Sequence, residues 1–331
     1  MYNSVRVQNF RGLRDVTLEG LTRVNLVVGQ NGVGKTALLE AVFLLAGLQL
    51  PDPLRAIETR RGLREPFRTW SLDEGLLESL FYGFNMADEV EVQGNGDVFT
   101  LASTREQGQL VPRLSWHLAD GRGSTTIYDR DGNIGGFQSD PRALPSHRPV
   151  FLGTRALPAL KDEADQFSTM VQEGKRPQVI DSLQVIEPRL QRLELLKMGE
   201  QVAVHADVGL ARMVPLGLLG EGLQRLSSFV LATAEASGYM LLVDEIDTGL
   251  HYSILTDMWR VVSAAASEFN YQLFATTHSY ECMTAAYEAF ADNPEDFSMH
   301  RLERREDGSI VSKDFGHDML GVALERGFEV R

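Results

Sequence analysis

Residues 29–36 read Gly29-Gln30-Asn31-Gly32-Val33-Gly34-Lys35-Thr36, the G-x-x-x-x-G-K-[ST] phosphate-loop pattern. Before it, Val24-Asn-Leu-Val-Val28 is β-branched and bounded by glycine, as a buried strand should be. After it, Thr36-Ala-Leu-Leu-Glu-Ala-Val-Phe-Leu-Leu45 is built of helix formers. Strand, glycine-rich turn and helix in that order let successive backbone N–H groups point at a phosphate, backed by the positive end of the helix dipole. In such a loop Asn31, Gly32, Val33 and Gly34 line the cradle, Lys35 reaches the β and γ phosphates, and Thr36 offers its hydroxyl to Mg2+. Only five of the 32 basic residues are lysines, yet the compact ammonium stands where a point contact with phosphate is needed. The stretch implies a nucleoside triphosphate ligand.

A second acidic element belongs with such a loop. Tyr239-Met-Leu-Leu-Val-Asp244-Glu245 is an apolar strand ending in two carboxylates, the form of a Walker B strand. Asp244 can hold Mg2+ directly or through water, and Glu245 can orient and deprotonate an attacking water. Leu219-Gly220-Glu221-Gly222-Leu-Gln-Arg225 precedes an apolar helix, and Gln272-Leu-Phe-Ala-Thr-Thr-His278-Ser279 is an apolar strand ending in a histidine. The glycines permit close approach of backbone N–H groups to an anion at the helix start.

Composition sets the outer bounds. With 331 residues, 43% of them apolar, the chain can bury a large core in one large or two ordinary domains. A formal charge of −14 opposes nucleic-acid binding by the whole surface. A local patch remains: Arg55, Arg60, Arg61, Arg64 and Arg68 face only Glu58 and Glu65 in their segment. The single cysteine, Cys282, excludes an internal disulfide and a paired-cysteine zinc site. The histidines His117, His147, His205, His251, His300 and His317 have no metal-ligand spacing. No leader-like apolar segment opens the chain and no run approaches the about 18 residues of a membrane span. The expectation is a cytoplasmic protein without membrane contact.

Along the chain, residues 1–28 read as strands and residues 88–128 as an antiparallel meander of short alternating runs. Residues 129–160 read as loops around one strand, Pro149-Val-Phe-Leu152, and residues 162–200 as charged helices with Pro188 near a start or kink. A strand pair is expected at about 201–218, then an α/β rhythm from Leu219 onward. Neither repeats nor sustained heptads occur.

The arrangement resembles ABC-type ATPases of the RecF, SMC and OLD branch, and more closely the stand-alone AAA-family ATP-binding proteins linked with anti-phage systems. The resemblance rests on Asn9-Phe-Arg-Gly-Leu13, the phosphate loop, Ile186-Glu-Pro-Arg-Leu190, Leu219-Gly-Glu-Gly222, Val243-Asp-Glu-Ile-Asp-Thr-Gly-Leu-His251 and Phe274-Ala-Thr-Thr-His-Ser279. It implies an α/β fold, an ABC-type ATPase head with a RecA-like P-loop core and an N-terminal antiparallel β subdomain, plus an inserted helical and β lobe. The core would span 1–50 and 201–331, the insert 51–200. It further implies ATP and Mg2+ as cofactors, Asp244 as metal support, Glu245 as catalytic base, and His278 as sensor of the γ-phosphate. Asp247 would belong to a loop that communicates across a dimer, and Gly220, Glu221 and Gly222 would be the signature turn, which contacts nucleotide on the other subunit. Arg11 would approach the nucleotide.

Two departures stand out: Gly220-Glu221 replaces the Ser-Gly of transporters, and the usual glutamine loop has only Gln138 as a poor candidate. The expected job is an ATPase switch that dimerises, or forms a higher homo-oligomer, through ATP-sandwiched heads and regulates a separate effector, a nuclease or toxin, in anti-phage defence. After His278 only 53 residues remain, too few for the nuclease domain of OLD proteins. The alternative is a RecF-like repair ATPase that clamps DNA through the arginine segment. A transporter nucleotide-binding subunit fits worse, given the signature and the roughly 180 residues separating it from the phosphate loop.

Overall fold

The computed structural model describes residues 1–47, 52–60, 74–106, 109–129, 134–139, 149–154, 160–236 and 238–325. The chain opens with β1 (Val5–Phe10), β2 (Leu13–Leu18) and β3 (Val24–Val28), then α1 (Lys35–Ala46), α2 (Pro53–Arg60) and α3 (Glu74–Glu78). The meander follows as β4 (Val90–Gly94), β5 (Asp97–Glu106), β6 (Gln109–His117), β7 (Gly123–Tyr128) and β8 (Ile134–Ser139). Next come β9 (Val150–Leu152), α4 (Leu160–Gln172), α5 (Arg176–Gln184), β10 (Arg192–Met198), β11 (Gln201–Asp207) and β12 (Val214–Pro215). The last third is α6 (Glu221–Ala236), β13 (Met240–Val243), α7 (Leu255–Glu268), β14 (Gln272–Thr276), α8 (Tyr280–Ala289), β15 (Phe297–Arg304), β16 (Ile310–Gly316) and α9 (His317–Glu325).

The core is a six-stranded sheet in the order β16-β15-β3-β14-β13-β9. All its pairings are parallel except that of β15 with β16. Every residue of β3, β13 and β14 is buried, because helices or a second sheet cover both faces, and their sequences are correspondingly continuous apolar runs. On one face α4–α8 share a core cluster with the sheet. On the other, α1 lies between the core sheet and a seven-stranded antiparallel sheet, β2-β1-β4-β5-β6-β7-β8. That position explains why every residue of α1 but Thr36 is buried: a helix apolar all round needs partners all round. The one carboxylate inside it, Glu40, is met by Arg11 at 2.7 Å.

Three expectations change. The helical reading of 185–200 fails: the chain leaves α5 at Gln184 and forms β10, held by β11 over seven paired positions. Pro188 therefore lies in the turn between α5 and β10. β9, placed in the insert by sequence, is the parallel neighbour of β13 in the core sheet. The meander is continuous with the first hairpin, since β4 pairs with β1. Among the described residues no helix is long and apolar enough to cross a membrane.

Candidate nucleotide-binding site

All the strand ends that matter point the same way. The phosphate loop leaves β3, Asp244 and Glu245 leave β13, and His278 leaves β14, whose parallel register puts their C-terminal ends side by side. Gly29, Gly32 and Gly34 all have positive φ, of 139°, 75° and 106°. A Cβ at Gly29 would lie 2.5 Å from the backbone Leu302 O, and one at Gly34 2.8 Å from Leu13 Cδ2, so either would force its neighbours to shift. The loop is thus wedged between the β1–β2 turn and β15, and its shape is fixed by packing.

Thr36 Oγ1 donates to Asp244 Oδ2 at 2.9 Å across 208 residues of sequence. Thr154, just after β9, donates to the same oxygen at 3.3 Å. Thr276 Oγ1 donates to Asp244 Oδ1 at 2.6 Å and accepts the Glu245 N–H at 2.8 Å. Lys35, 8% exposed, donates to Gly29 O at 2.7 Å and Gln30 O at 3.1 Å. Burial pushes its ammonium below the ordinary lysine range, against the opposing pull of Asp244 and Glu245. Clustered hard oxygens from Thr36 and Asp244 beside a glycine cradle suit Mg2+ and a polyphosphate.

Glu245 has φ of +48°, a left-handed conformation costly for any residue with a side chain. It persists because both ends of the residue are held. Thr276 takes the N–H, and Arg225 from α6 donates Nη2 to Glu245 O at 3.3 Å. The same guanidinium donates to Asp244 O at 2.7 Å and Gly153 O at 2.8 Å. Desolvation pushes Arg225 down and the charges of Asp244, Glu245 and Asp247 pull it back up. The Glu245 carboxylate turns outward, with Thr248 Oγ1 at 3.3 Å and His278 Nδ1 at 3.9 Å. Next to His278, Ser279 caps α8 by accepting from Cys282 N at 3.1 Å. Asp247 accepts from Thr277 Oγ1 at 2.7 Å.

The turn at Gly220 to Gly222 packs against this loop. Gly220 has φ of 106°, and a Cβ at Gly222 would lie 3.0 Å from Gly249 O. Arg11 lies against Glu40 in α1 at 2.7 Å and donates to Ser79 Oγ, just past α3, at 3.4 Å. Gln138 lies exposed in β8, at the far edge of the antiparallel sheet. Of the arginine segment, Arg55 stands in α2, while the side chain of Arg60 and residues 61, 64 and 68 lie outside the described residues. No metal-binding group of three or more His, Cys, Asp or Glu occurs among the described residues. Sequence reasoning missed Thr154, Thr276 and Arg225. The signals for the last two were there: a threonine closing an apolar strand, and a basic residue inside an apolar helix.

The family described as "AAA domain, putative AbiEii toxin, Type IV TA system" matches residues 24–283, and the chain belongs to it, within the RecF/SMC branch of the ABC-type P-loop ATPases. It is 22% identical to an ATP/GTP phosphatase of Helicobacter pylori, over 85% of this chain and 86% of the relative. It is 37% identical to the DNA replication and repair protein RecF of an Anaeromyxobacter species (strain K) over 90 residues, 27% of this chain and only 22% of RecF. A solved SMC head bound to the C-terminal winged-helix domain of ScpA shares the fold, with a TM-score of 0.54 at 13% identity, covering 98% of this chain and 99% of that one.

Proposed function

We propose that the chain binds ATP with Mg2+ and hydrolyses it as a conformational switch. Two heads would close around nucleotide, and the closed state would govern a separate effector, a nuclease or toxin, in anti-phage defence. The observation that carries the reading is the hydrogen bond between Thr36 and Asp244, which joins the glycine cradle to the strand-end acids. Thr36 and Asp244 would hold the metal, which when bound would screen the phosphate charges and polarise the γ-phosphate. Lys35 would neutralise the β and γ phosphates, Glu245 would take a proton from the attacking water, and His278 would face the γ-phosphate. The signature turn would complete the partner's site, so a lone head would turn over slowly. The family description's words toxin and Type IV TA system support a role outside housekeeping repair.

Glu245→Gln removes the base and keeps the shape. The expected outcome is retained ATP binding, hydrolysis lowered at least about a hundredfold, and an ATP-dependent dimer in size-exclusion chromatography with light scattering. Hydrolysis at the parental rate would take Glu245 out of the mechanism.

A second reading, direct clamping of DNA, is supported by the RecF similarity. Salt separates the two. Added salt screens the repulsion between two heads of charge −14 each and favours closure, whereas phosphate contacts weaken steeply with salt.

A further inference from the structure

We infer that Arg304 is the residue that receives the base of the bound nucleotide, stacking its guanidinium on the ring. The inference rests on the proposed nucleotide site and deepens it. Thr36, Asp244, Glu245 and His278 mark the terminal-phosphate end, and their strands, β13 and β14, lie to one side of β3. A linear chain of phosphates laid along the loop must carry its nucleoside off on the other side. There the neighbour of β3 is β15, in parallel register, with its C-terminal end beside the loop.

Arg304 is the last residue of β15. Its Nη2 donates to Gly32 O at 3.2 Å, and Nη1 donates to Gly308 O at 3.3 Å. The side chain is exposed, and among the described residues those two backbone carbonyls are its only hydrogen-bond partners. A carboxylate would occupy the fork; a pair of carbonyls orients it and leaves its flat face and remaining donors available. The surroundings are rigid. Leu302 O closes on Gly29, Ile310 Cδ1 would come within 3.7 Å of a Cβ at Gly34, and Asp307 pins the hairpin turn by accepting from Ser309 N at 2.9 Å. The arginine is therefore held at a fixed height beside the loop, the pre-organisation that makes a stacking contact effective.

The test uses the full chain and isothermal titration with ATP, ADP and inorganic tripolyphosphate, which carries phosphates and no base. Arg304→Ala should weaken ATP and ADP about tenfold and leave tripolyphosphate within about twofold of the parent. Arg304→Lys, which can still reach Gly32 O but has no flat cation, should lose most of the same nucleotide affinity. Equal loss for all three ligands would mean that Arg304 only props the loop or meets a phosphate. No loss for any would remove it from the site. Either result overturns the inference while leaving the phosphate site standing. Lys35→Ala separates the two levels, since it should lose tripolyphosphate and ATP alike. A parent chain that binds neither would sink the nucleotide site, and this inference with it.

Discussion

At the scale of single residues, the site's main tension is at Glu245, where a left-handed backbone presents a carboxylate to solvent and His278. The strain is held by two neighbours, Thr276 on the N–H and Arg225 on the carbonyl. Arg225 spans three carbonyls just past the ends of β9 and β13, a geometry that needs a planar fork. Arg225→Lys should keep the fold, with a melting temperature within about 5 °C of the parent. It should bind nucleotide normally and hydrolyse it at least about tenfold more slowly, because the proposed base, Glu245, would be misplaced. Normal single-turnover phosphate release would show that Glu245 needs no such support. Lys35 offers a test by pH. Its proton leaves the folded chain at a lower pH than the unfolded one. In that alkaline window the unfolded state holds more protons, so this group makes stability rise with pH. A bound triphosphate would restore the charge, so binding there should take up a proton, and near neutrality it should not. Titration in two buffers of unequal ionisation enthalpy measures that uptake, and identical heats in the alkaline window would separate Lys35 from the ligand.

At the scale of elements, the β15–β16 hairpin is anchored by a buried relay. Ser298 Oγ lies 2.9 Å from His300 Nε2, and His300 Nδ1 lies 2.8 Å from Asp314 Oδ1. Ser298 also donates to Asn25 Oδ1 in β3 at 2.9 Å. Burial would raise Asp314, but hydrogen bonds from His300, Ser312 and the Glu19 N–H outweigh it and hold the carboxyl below its ordinary range. Its contribution is therefore present above the unfolded value of about 3.9 and lost as pH falls through the folded one. Asp314→Asn should cost about 1–3 kcal/mol at neutral pH, and melting curves of parent and variant should converge in acid. A constant gap across pH would assign the loss to packing.

What the sequence made legible follows the same division. β3, β13 and β14 were readable because buried parallel strands are continuous apolar runs beside glycine or acid. β10 was not: Arg-Leu-Glu-Leu-Leu-Lys-Met is all helix formers, and only pairing with β11 makes it a strand. β9 is three residues long and its partner lies some 90 positions away, a contact without local signature. Thr154 inherits that silence, since only β9's place beside β13 brings it to Asp244.

At the scale of the whole molecule, the signature turn and the Asp247 loop form one face. Gly222 abuts Gly249, and nearby chain positions expose Leu218 at 76% and Tyr252 at 68%. In the proposed two-head arrangement a head would use its own phosphate loop and acids in cis and offer this face to a second copy in trans. Under that arrangement Glu221→Arg should leave nucleotide affinity of the lone head intact and stop turnover. Lys35→Ala should stop turnover by the opposite route, losing its own nucleotide while keeping a sound signature turn. Mixing the two inactive variants then gives heterodimers in which one site pairs an intact loop with an intact turn. At equal concentrations, random pairing makes half the dimers mixed, each with one working site, so about a quarter of parental activity per chain should return. A head that completes its own site would give no recovery on mixing, because each variant would carry its defect alone.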